Sequence, residues 1–172
     1  MGATLTPATD GAALTAHAAT PPQAGGALSP AELSAWKGLV KAHAALVKRL
    51  DSELEATHGL PLSHYEVLVA LEQAPSSRMR MCDLADCVHL SRSGLTRLVD
   101  RLEREGLLCR ACCTADARGS FAVLTDDGTR RLAEARPTHL ASVRRDFVAR
   151  FSAEELETLA RLWERLLPDS VD

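Results

Sequence analysis

The segment from Ser91 to Gly106 limits the possible folds of this chain more than any other, because it specifies a helix with one apolar side. Serine is a preferred N-cap residue, and glycine is preferred just beyond a helix end. Between these two residues, aliphatic side chains recur at positions i, i+3, i+4 and i+7, which is typical of an amphipathic helix. They are Leu95, Leu98, Val99 and Leu102. The pattern therefore predicts a helix that packs on a folded body through this side.

The opposite side of this helix is polar and rich in arginine. With the aliphatic residues inward, Ser93, Arg97, Asp100 and Arg104 face outward. Arginine can donate two hydrogen bonds to O6 and N7 of guanine, serine and threonine suit phosphates or base edges, and a helix N-terminus attracts a phosphate. A solvated helix face would have the same composition, so the neighbouring elements must decide between the two interpretations. The candidate DNA contacts on this helix are Ser91, Arg92, Ser93, Thr96, Arg97, Arg101 and Arg104.

The elements around this helix follow an order that is typical of DNA-binding lobes. A short helix is predicted over residues 82–88, with a tight turn before Ser91. Residues 107–113 and 120–124 are predicted strands, and the loop 114–119 between them contains the small and turn-forming residues of a hairpin. Two short helices followed by a hairpin is the winged helix-turn-helix order, in which the second helix enters the major groove.

Capping patterns and proline place the other elements. A capping box pairs a serine with a glutamate three residues later, and each residue then satisfies a backbone N–H of the other. One short strand is expected over residues 78–81, and Pro137 is expected to kink the helix that follows Thr125. The capping boxes that predict helix starts are Ser29 with Glu32, Ser63 with Glu66, and Ser152 with Glu155.

The terminal helices are more apolar than a small lobe needs. The helix predicted over residues 29–58 has an apolar stripe along its length, and residues 126–168 add further apolar helices. Such stripes find too little partner surface within one small domain, so they predict pairing with a second copy of the chain. We expect a disordered tail over residues 1–28, one domain over residues 29–168, and a DNA-binding lobe over about 62–125.

Composition restricts the class and the location of the protein. Aromatic residues make up 3% of the chain while leucine and alanine abound, which favours packed helices over a β-sandwich. The net charge is −3, yet residues 76–131 hold ten basic and eight acidic side chains, so only the middle third is net positive. No membrane span or secretory signal is predicted, so we expect a cytoplasmic protein whose five cysteines are reduced thiols.

The run from Leu62 to Gly128 resembles the MarR family of bacterial transcriptional regulators. The resemblance is most specific in MRMCDLADCVHLSRSGLTRLVDRLEREGLL and in the following DARGSFAVLTDDG. It implies a mainly α fold with a small β-hairpin wing, in which a winged helix-turn-helix lobe is joined to N- and C-terminal dimerisation helices. It also implies a homodimeric regulator of transcription that binds a pseudo-palindromic operator in double-stranded DNA, and we expect a repressor.

The resemblance also implies roles for two residues of the wing. Asp116 is expected to position Arg118, whose guanidinium group enters the narrow minor groove of A·T-rich DNA. Many members of the family have a proline early in the wing and a basic residue between these two positions. This chain has Thr114-Ala115 and Ala117 instead, which weakens the expected grip of the wing.

Control of DNA binding by a small molecule is a further implication of the resemblance. The family has a ligand pocket between the dimer helices and the DNA-binding lobe, which takes phenolic or aromatic carboxylate compounds. Trp36, His43 and Tyr65 are the candidate ligand-binding residues, because they offer aromatic rings and hydrogen-bond donors. The alternative for these three residues is ordinary core packing.

Oxidation of cysteine is the alternative mode of control. Cys82, Cys112 and Cys113 are the candidate redox residues: Cys82 lies at a predicted helix start, and the other two cluster with Cys109 before the wing. No metal site is expected, because Cys109 and Cys112 would point to opposite faces of a strand.

Two other classes of protein have to be weighed against a DNA-binding regulator. An enzyme would need a nucleophile with its base, a phosphate-binding glycine loop or a metal-ligand cluster, and the sequence offers none of these. We therefore expect neither catalysis nor a cofactor. A winged helix can also act as an adaptor that docks on another protein, and such an adaptor would bind its partner with little dependence on salt.

Overall fold

The computed structural model describes the backbone of residues 26–113 and 116–167. It describes the side chains over the same ranges, except for those of residues 112–119. The predicted tail over residues 1–28 therefore lies almost entirely outside the described residues. The helices are α1 (Pro30–His58), α2 (Leu62–Gln73), α3 (Met81–Cys87), α4 (Arg92–Arg104), α5 (Asp126–Asp146) and α6 (Ala153–Leu166), and the strands are β1 (Arg78–Arg80), β2 (Leu108–Cys113) and β3 (Asp116–Leu124). Short 3₁₀ turns lie at Pro75–Ser77 and Val148–Arg150.

Two of the three predicted capping boxes are confirmed. At the start of α1, Ser29 Oγ accepts a hydrogen bond from the Glu32 N–H at 3.3 Å, and Glu32 Oε2 accepts one from the Ser29 N–H at 2.7 Å. The box at Ser152 opens α6 in the same way. Gly59 ends α1 in the left-handed conformation, with φ of 58°, which glycine adopts without strain. Local sequence alone therefore fixes these helix ends.

The prediction for the start of α2 is wrong. This helix begins at Leu62, with Pro61 as its N-cap and no side-chain cap, so Ser63 and Glu66 form no capping box. Instead, the Leu62 N–H donates to Asp51 Oδ1 on α1 at 2.8 Å. A carboxylate from another helix thus accepts from an N–H at the start of α2, where the sequence predicted a local serine cap.

The three strands form one antiparallel sheet in the order β1-β3-β2. Arg110 of β2 pairs with Ala122 of β3, and the register shifts between Cys112 and Cys113, so that Cys113 lies opposite Asp116. The predicted loop over residues 114–119 is therefore too long, because β3 already begins at Asp116. A bulge in the pairing accommodates the extra residues of β3, which periodicity could not reveal.

The core lies where α2, α3, α4 and the sheet meet, and α5 closes it with Leu132 and Ala135, which are fully buried. Helix α5 runs from Asp126 to Asp146 through Pro137, and Phe151 lies beyond its end. The long helix α1 contributes only Leu54 to the buried set, although it is 29 residues long. None of the helices described is both long enough and apolar enough to cross a membrane.

Candidate nucleic-acid interface

Helix α4 is fixed on the core by the stripe that the sequence predicts. Leu95, Val99 and Leu102 are at most 1% exposed, and Leu98 packs against the same cluster while remaining partly accessible. Burying three aliphatic side chains stabilises this orientation by about 1.5–3 kcal/mol each. The helix is therefore held with its polar side outward.

All seven candidate DNA contacts on and before α4 are exposed to solvent. Among the described residues, the guanidinium groups of Arg92 and Arg97 have no hydrogen-bond or ion-pair partner. Arg101 Nε donates to Glu105 Oε1 at 3.0 Å, and Arg104 Nε donates to the backbone oxygen of Asp100 at 3.2 Å. Both of these bonds are local and exposed, so they cost little to exchange for a phosphate.

Hydroxyl groups organise the N-terminus of α4. Ser91 Oγ accepts from the Gly94 N–H at 3.1 Å and lies 3.3 Å from Ser93 Oγ, while Thr96 Oγ1 donates to the Arg92 carbonyl at 2.8 Å. The cap leaves the N–H groups of Arg92 and Ser93 and the positive end of the helix dipole at the surface, which suits a phosphate oxygen.

Arg110 on β2 is a residue of this surface that sequence reasoning missed. Its Nη1 donates to Glu103 Oε2 and its Nη2 to Asp100 Oδ1, both at 2.5 Å, and its backbone N–H donates to Glu103 Oε1 at 2.8 Å. The strand and the helix are separate segments of the sequence, so neither spacing nor periodicity connects these side chains.

A second pair of arginines lies on β1, next to the wing. The guanidinium carbons of Arg78 and Arg80 lie 4.3 and 5.4 Å from the centroid of the Phe121 ring on β3. Each of these contacts is a cation–π interaction that adds to the pairing of the two strands. The alternation of basic and apolar residues over 78–81 was visible in the sequence, but its ring partner was not.

Four of the predicted site residues lie outside the described side chains. The backbones of Cys112 and Cys113 belong to β2, and those of Asp116 and Arg118 belong to β3. The roles of Asp116 and Arg118 in the wing therefore stay predictions.

The three candidate ligand residues are not brought together within one chain. Tyr65 is 5% exposed, and its ring centroid lies 4.6 Å from that of His139 on α5. These two rings line a cavity of about 350 Å³ together with Val69 and His89. Trp36 is 59% exposed on α1 and does not line this cavity.

His43 lies near the same cavity without forming its wall. Burial, the main cause, raises the pKa of the Glu66 carboxyl group, and the nearby His89 and His43 oppose this shift. Burial also lowers the pKa of His139, whose Nδ1 is enclosed and has no hydrogen-bond partner. The cavity is thus lined by imidazole and phenol rings and by the Glu66 carboxyl group.

The cysteines differ from expectation in one respect. Cys82 is the second residue of α3 and not its cap, because the helix starts at Met81 after Arg80. The Cys82 thiol is exposed and donates to Asp83 Oδ1 at 3.1 Å. Cys87 and Cys109 are also exposed free thiols. Across the described part of the chain, no group of three histidine, cysteine or acidic residues is placed to hold a metal ion.

Comparisons with known proteins identify the lobe. A model of the MarR family matches residues 58–119. The chain is 35% identical to AbsC, a MarR family transcriptional regulator from Streptomyces coelicolor, with a TM-score of 0.75 and with 81% of this chain and 94% of AbsC covered. The chain belongs to the MarR family of transcriptional regulators. This MarR-family member is therefore a DNA-binding transcriptional regulator with a winged helix, and not an enzyme.

Two further structures extend the comparison. Sco3205, a MarR family regulator from Streptomyces coelicolor solved in complex with DNA, is 33% identical, with a TM-score of 0.77 over 85% of this chain and 91% of that protein. BpsR from Bordetella bronchiseptica, whose DNA binding is regulated by 6-hydroxynicotinic acid, shares the fold at 19% identity, with a TM-score of 0.69 over 77% of this chain and 98% of BpsR. The expected mainly α fold with a small sheet is thus confirmed.

Proposed function

We propose that this MarR regulator is a homodimeric repressor that reads a pseudo-palindromic operator through α4. The observation that carries the proposal is the exposed side of α4, on which Arg92 and Arg97 have no partner among the described residues while Leu95, Val99 and Leu102 anchor the helix. A guanidinium group held outward on a rigid helix can donate to a guanine edge in the major groove. Such a regulator acts where the chromosome is, in the cytoplasm.

The apolar faces of the terminal helices support the homodimer. Val40 on α1 is 46% exposed, and Leu162 and Leu166 on α6 are 44% and 58% exposed. Several large aliphatic side chains left exposed on the same two helices are typical of a surface that contacts another protein. A two-fold dimer would cover them and would place two recognition helices about one turn of DNA apart.

The wing supplies a second contact in this proposal. Arg118 enters the minor groove beside the half-site, and Asp116 positions it, as in other members of the family. Both residues lie on β3, which pairs directly with β2 and is thereby joined to α4. Helix and wing then read adjacent grooves of the same half-site.

Release by a small aromatic ligand completes the proposal. The cavity beside Tyr65 and His139 has a volume suited to a single aromatic ring, and the two rings that line it can stack on a planar ligand. BpsR, which shares the fold, is regulated by an aromatic acid of this kind. His43 would approach the site from α1 of the same chain, and Trp36 would join it from α1 of the partner chain in the dimer.

A gel shift with the DNA upstream of the protein's own gene tests this function. Binding should weaken steeply as salt rises, because each phosphate contact releases a counterion, and an unrelated duplex of equal length should bind more weakly. Equal binding to both duplexes, or binding that does not depend on salt, would contradict sequence-specific recognition.

The same experiment separates the two modes of control. In one series 6-hydroxynicotinic acid is added, and in the other hydrogen peroxide at low concentration. Release by the acid supports the cavity. Release by peroxide that is lost in Cys82→Ser supports oxidation instead, for which the exposure of Cys82 next to Arg92 is the favourable observation. In that case the modified thiol would lie on α3, beside the first turn of the recognition helix.

A further inference from the structure

We propose that Arg110 of β2 is a positioning residue, which holds the DNA-reading side of α4 in place and offsets its acidic charge without contacting DNA. The inference rests on the proposed role of α4 as the recognition helix. It assigns a function to a side chain outside the predicted contact surface.

The contacts of Arg110 span two turns of α4 along one line. Besides its bonds to Asp100 and Glu103, its Nη2 donates to the backbone oxygen of Thr96 at 3.4 Å. Residues 96, 100 and 103 are spaced i, i+4 and i+7, so they lie on one side of the helix. A single guanidinium group therefore fixes both the rotation and the tilt of α4 relative to β2. The planar fork of arginine allows this geometry, which a lysine ammonium could not reproduce.

Charge gives Arg110 a second effect. Asp100 belongs to the outward side of α4, between Arg97 and Arg104, and its side chain is 50% exposed. A carboxylate there repels DNA phosphates. The cluster of Asp100, Glu103 and Arg110 carries a net charge of −1, and it would carry −2 without the arginine. Arg110 itself is only 27% exposed, so its ion pairs are less screened than those at an open surface.

Arg110 differs from the residues proposed to contact DNA because its guanidinium group is already hydrogen-bonded within the protein. Arg92 and Arg97 have no partner among the described residues, whereas both terminal nitrogens of Arg110 are already donating at 2.5 Å. A phosphate would have to compete with these two charge-assisted bonds to recruit it. Arg110 also lies on the strand that leads into the wing, so the same contacts join the wing to the recognition helix.

A double-variant experiment tests the positioning role. Binding of a fluorescent duplex from upstream of the gene, and of a mixed-sequence duplex, is measured against salt for wild type, Arg110→Met, Asp100→Asn and the double variant. Arg110→Met should weaken binding about tenfold, as expected when a charge network is broken. Adding Asp100→Asn should recover most of that loss, while the salt slope stays at the wild-type value. Arg92→Met is the matched control: Arg92 lies at the N-terminus of α4, where a phosphate is favoured, so its slope should fall by about one ion, and Asp100→Asn should not rescue it.

Three outcomes would overturn the proposal. The first is wild-type affinity in Arg110→Met. The second is a slope lowered by about one ion, which would mean that Arg110 contacts a phosphate directly. The third is a loss that Asp100→Asn does not reduce. If thermal unfolding shows that Arg110→Met is not folded, Arg110→Lys takes its place, because it keeps the charge but can reach only one carboxylate. Failure of the wild-type protein to bind either duplex would count against the proposed function instead.

Discussion

Arg97 is the side chain that most directly tests base reading, because it is exposed, has no partner among the described residues and faces away from the buried stripe of α4. We expect Arg97→Ala to weaken operator binding by about 1–3 kcal/mol and to change which bases are preferred at one position of each half-site. Arg118→Ala in the wing should weaken binding to all sequences by a similar amount. Selection from a randomised duplex library measures both.

The control for Arg97 is Arg130→Ala, which removes an exposed arginine that already pairs with Asp127 on α5. It should leave both affinity and preference unchanged. Equal losses on every duplex for Arg97→Ala and Arg118→Ala would contradict a base-reading role for Arg97, since phosphate contacts carry no sequence information.

His64 should make the protein less stable in weak acid. It is a residue of α2 that is only 6% exposed, and burial, aided by the nearby Arg101, lowers its pKa. An unfolded chain takes up the proton near the ordinary histidine pKa of about 6.5, whereas the folded chain does so only at lower pH. Stability is therefore complete above about pH 6.5 and falls as the pH drops from there towards the folded pKa.

The variant His64→Leu removes the imidazole group that takes up this proton. Melting temperatures measured between pH 8 and pH 5 should fall more for wild type than for the variant, and the two curves should run parallel above pH 7. Parallel curves over the whole range would show that His64 does not titrate differently on folding. His139 acts in the same direction in both proteins and cancels from the comparison.

At the scale of the elements, Ser91 and Ser63 show how far local sequence predicts a helix start. Ser91→Ala removes the acceptor of the Gly94 N–H, so it should destabilise the fold by about 1 kcal/mol and loosen the first turn of α4. Ser63→Ala should cost almost nothing, because Asp51 on α1 serves the start of α2. Chemical unfolding of both variants measures the difference, and equal losses would contradict the assigned caps.

These two serines also explain which parts of the fold the sequence could predict. Ser29, Ser91 and Ser152 cap their own helices, so the neighbouring residues of the sequence were enough to predict where these helices begin. The start of α2 and the ion pairs of Arg110 depend on segments brought together only by folding. The Ser63 box was therefore predicted wrongly and the Arg110 cluster was missed altogether, although the stripe and the exposed face of α4 were both predicted.

The start of α5 depends on the absence of a side chain at Gly128. A Cβ atom there would overlap the Leu107 carbonyl oxygen and lie 2.7 Å from Leu124 Cδ1, so α5 packs against the backbone before β2. Gly128→Ala should destabilise the protein by about 2 kcal/mol, as overpacking of a filled site does. Gly38→Ala on α1 is the control. Nothing lies within 4 Å of its added Cβ, and it should stabilise α1 by about 0.5–1 kcal/mol. A loss of the same size in both variants would contradict close packing at Gly128.

At the scale of the whole molecule, the apolar faces that α1 and α6 leave exposed are best explained by a second copy of the chain. Val40→Glu combined with Leu162→Glu should yield a monomer near 18.5 kDa in light scattering, where the wild type has twice that mass. Its fold should survive, because neither residue belongs to the buried core. Affinity for a full operator should fall by about a hundredfold or more, since two linked half-sites bind with a high effective concentration.

Affinity for an isolated half-site tests whether that loss comes from assembly alone. It should be similar in the wild type and in the double variant, because α4 is untouched by both substitutions. Arg161→Glu, a polar change on the same helix as Leu162, should remain a dimer and keep full affinity. A double variant that is still dimeric would place the two-fold contact elsewhere on the molecule. A monomer that binds the full operator as tightly as the wild type would mean that one lobe accounts for the whole affinity, which the modest charge of residues 76–131 makes difficult to explain.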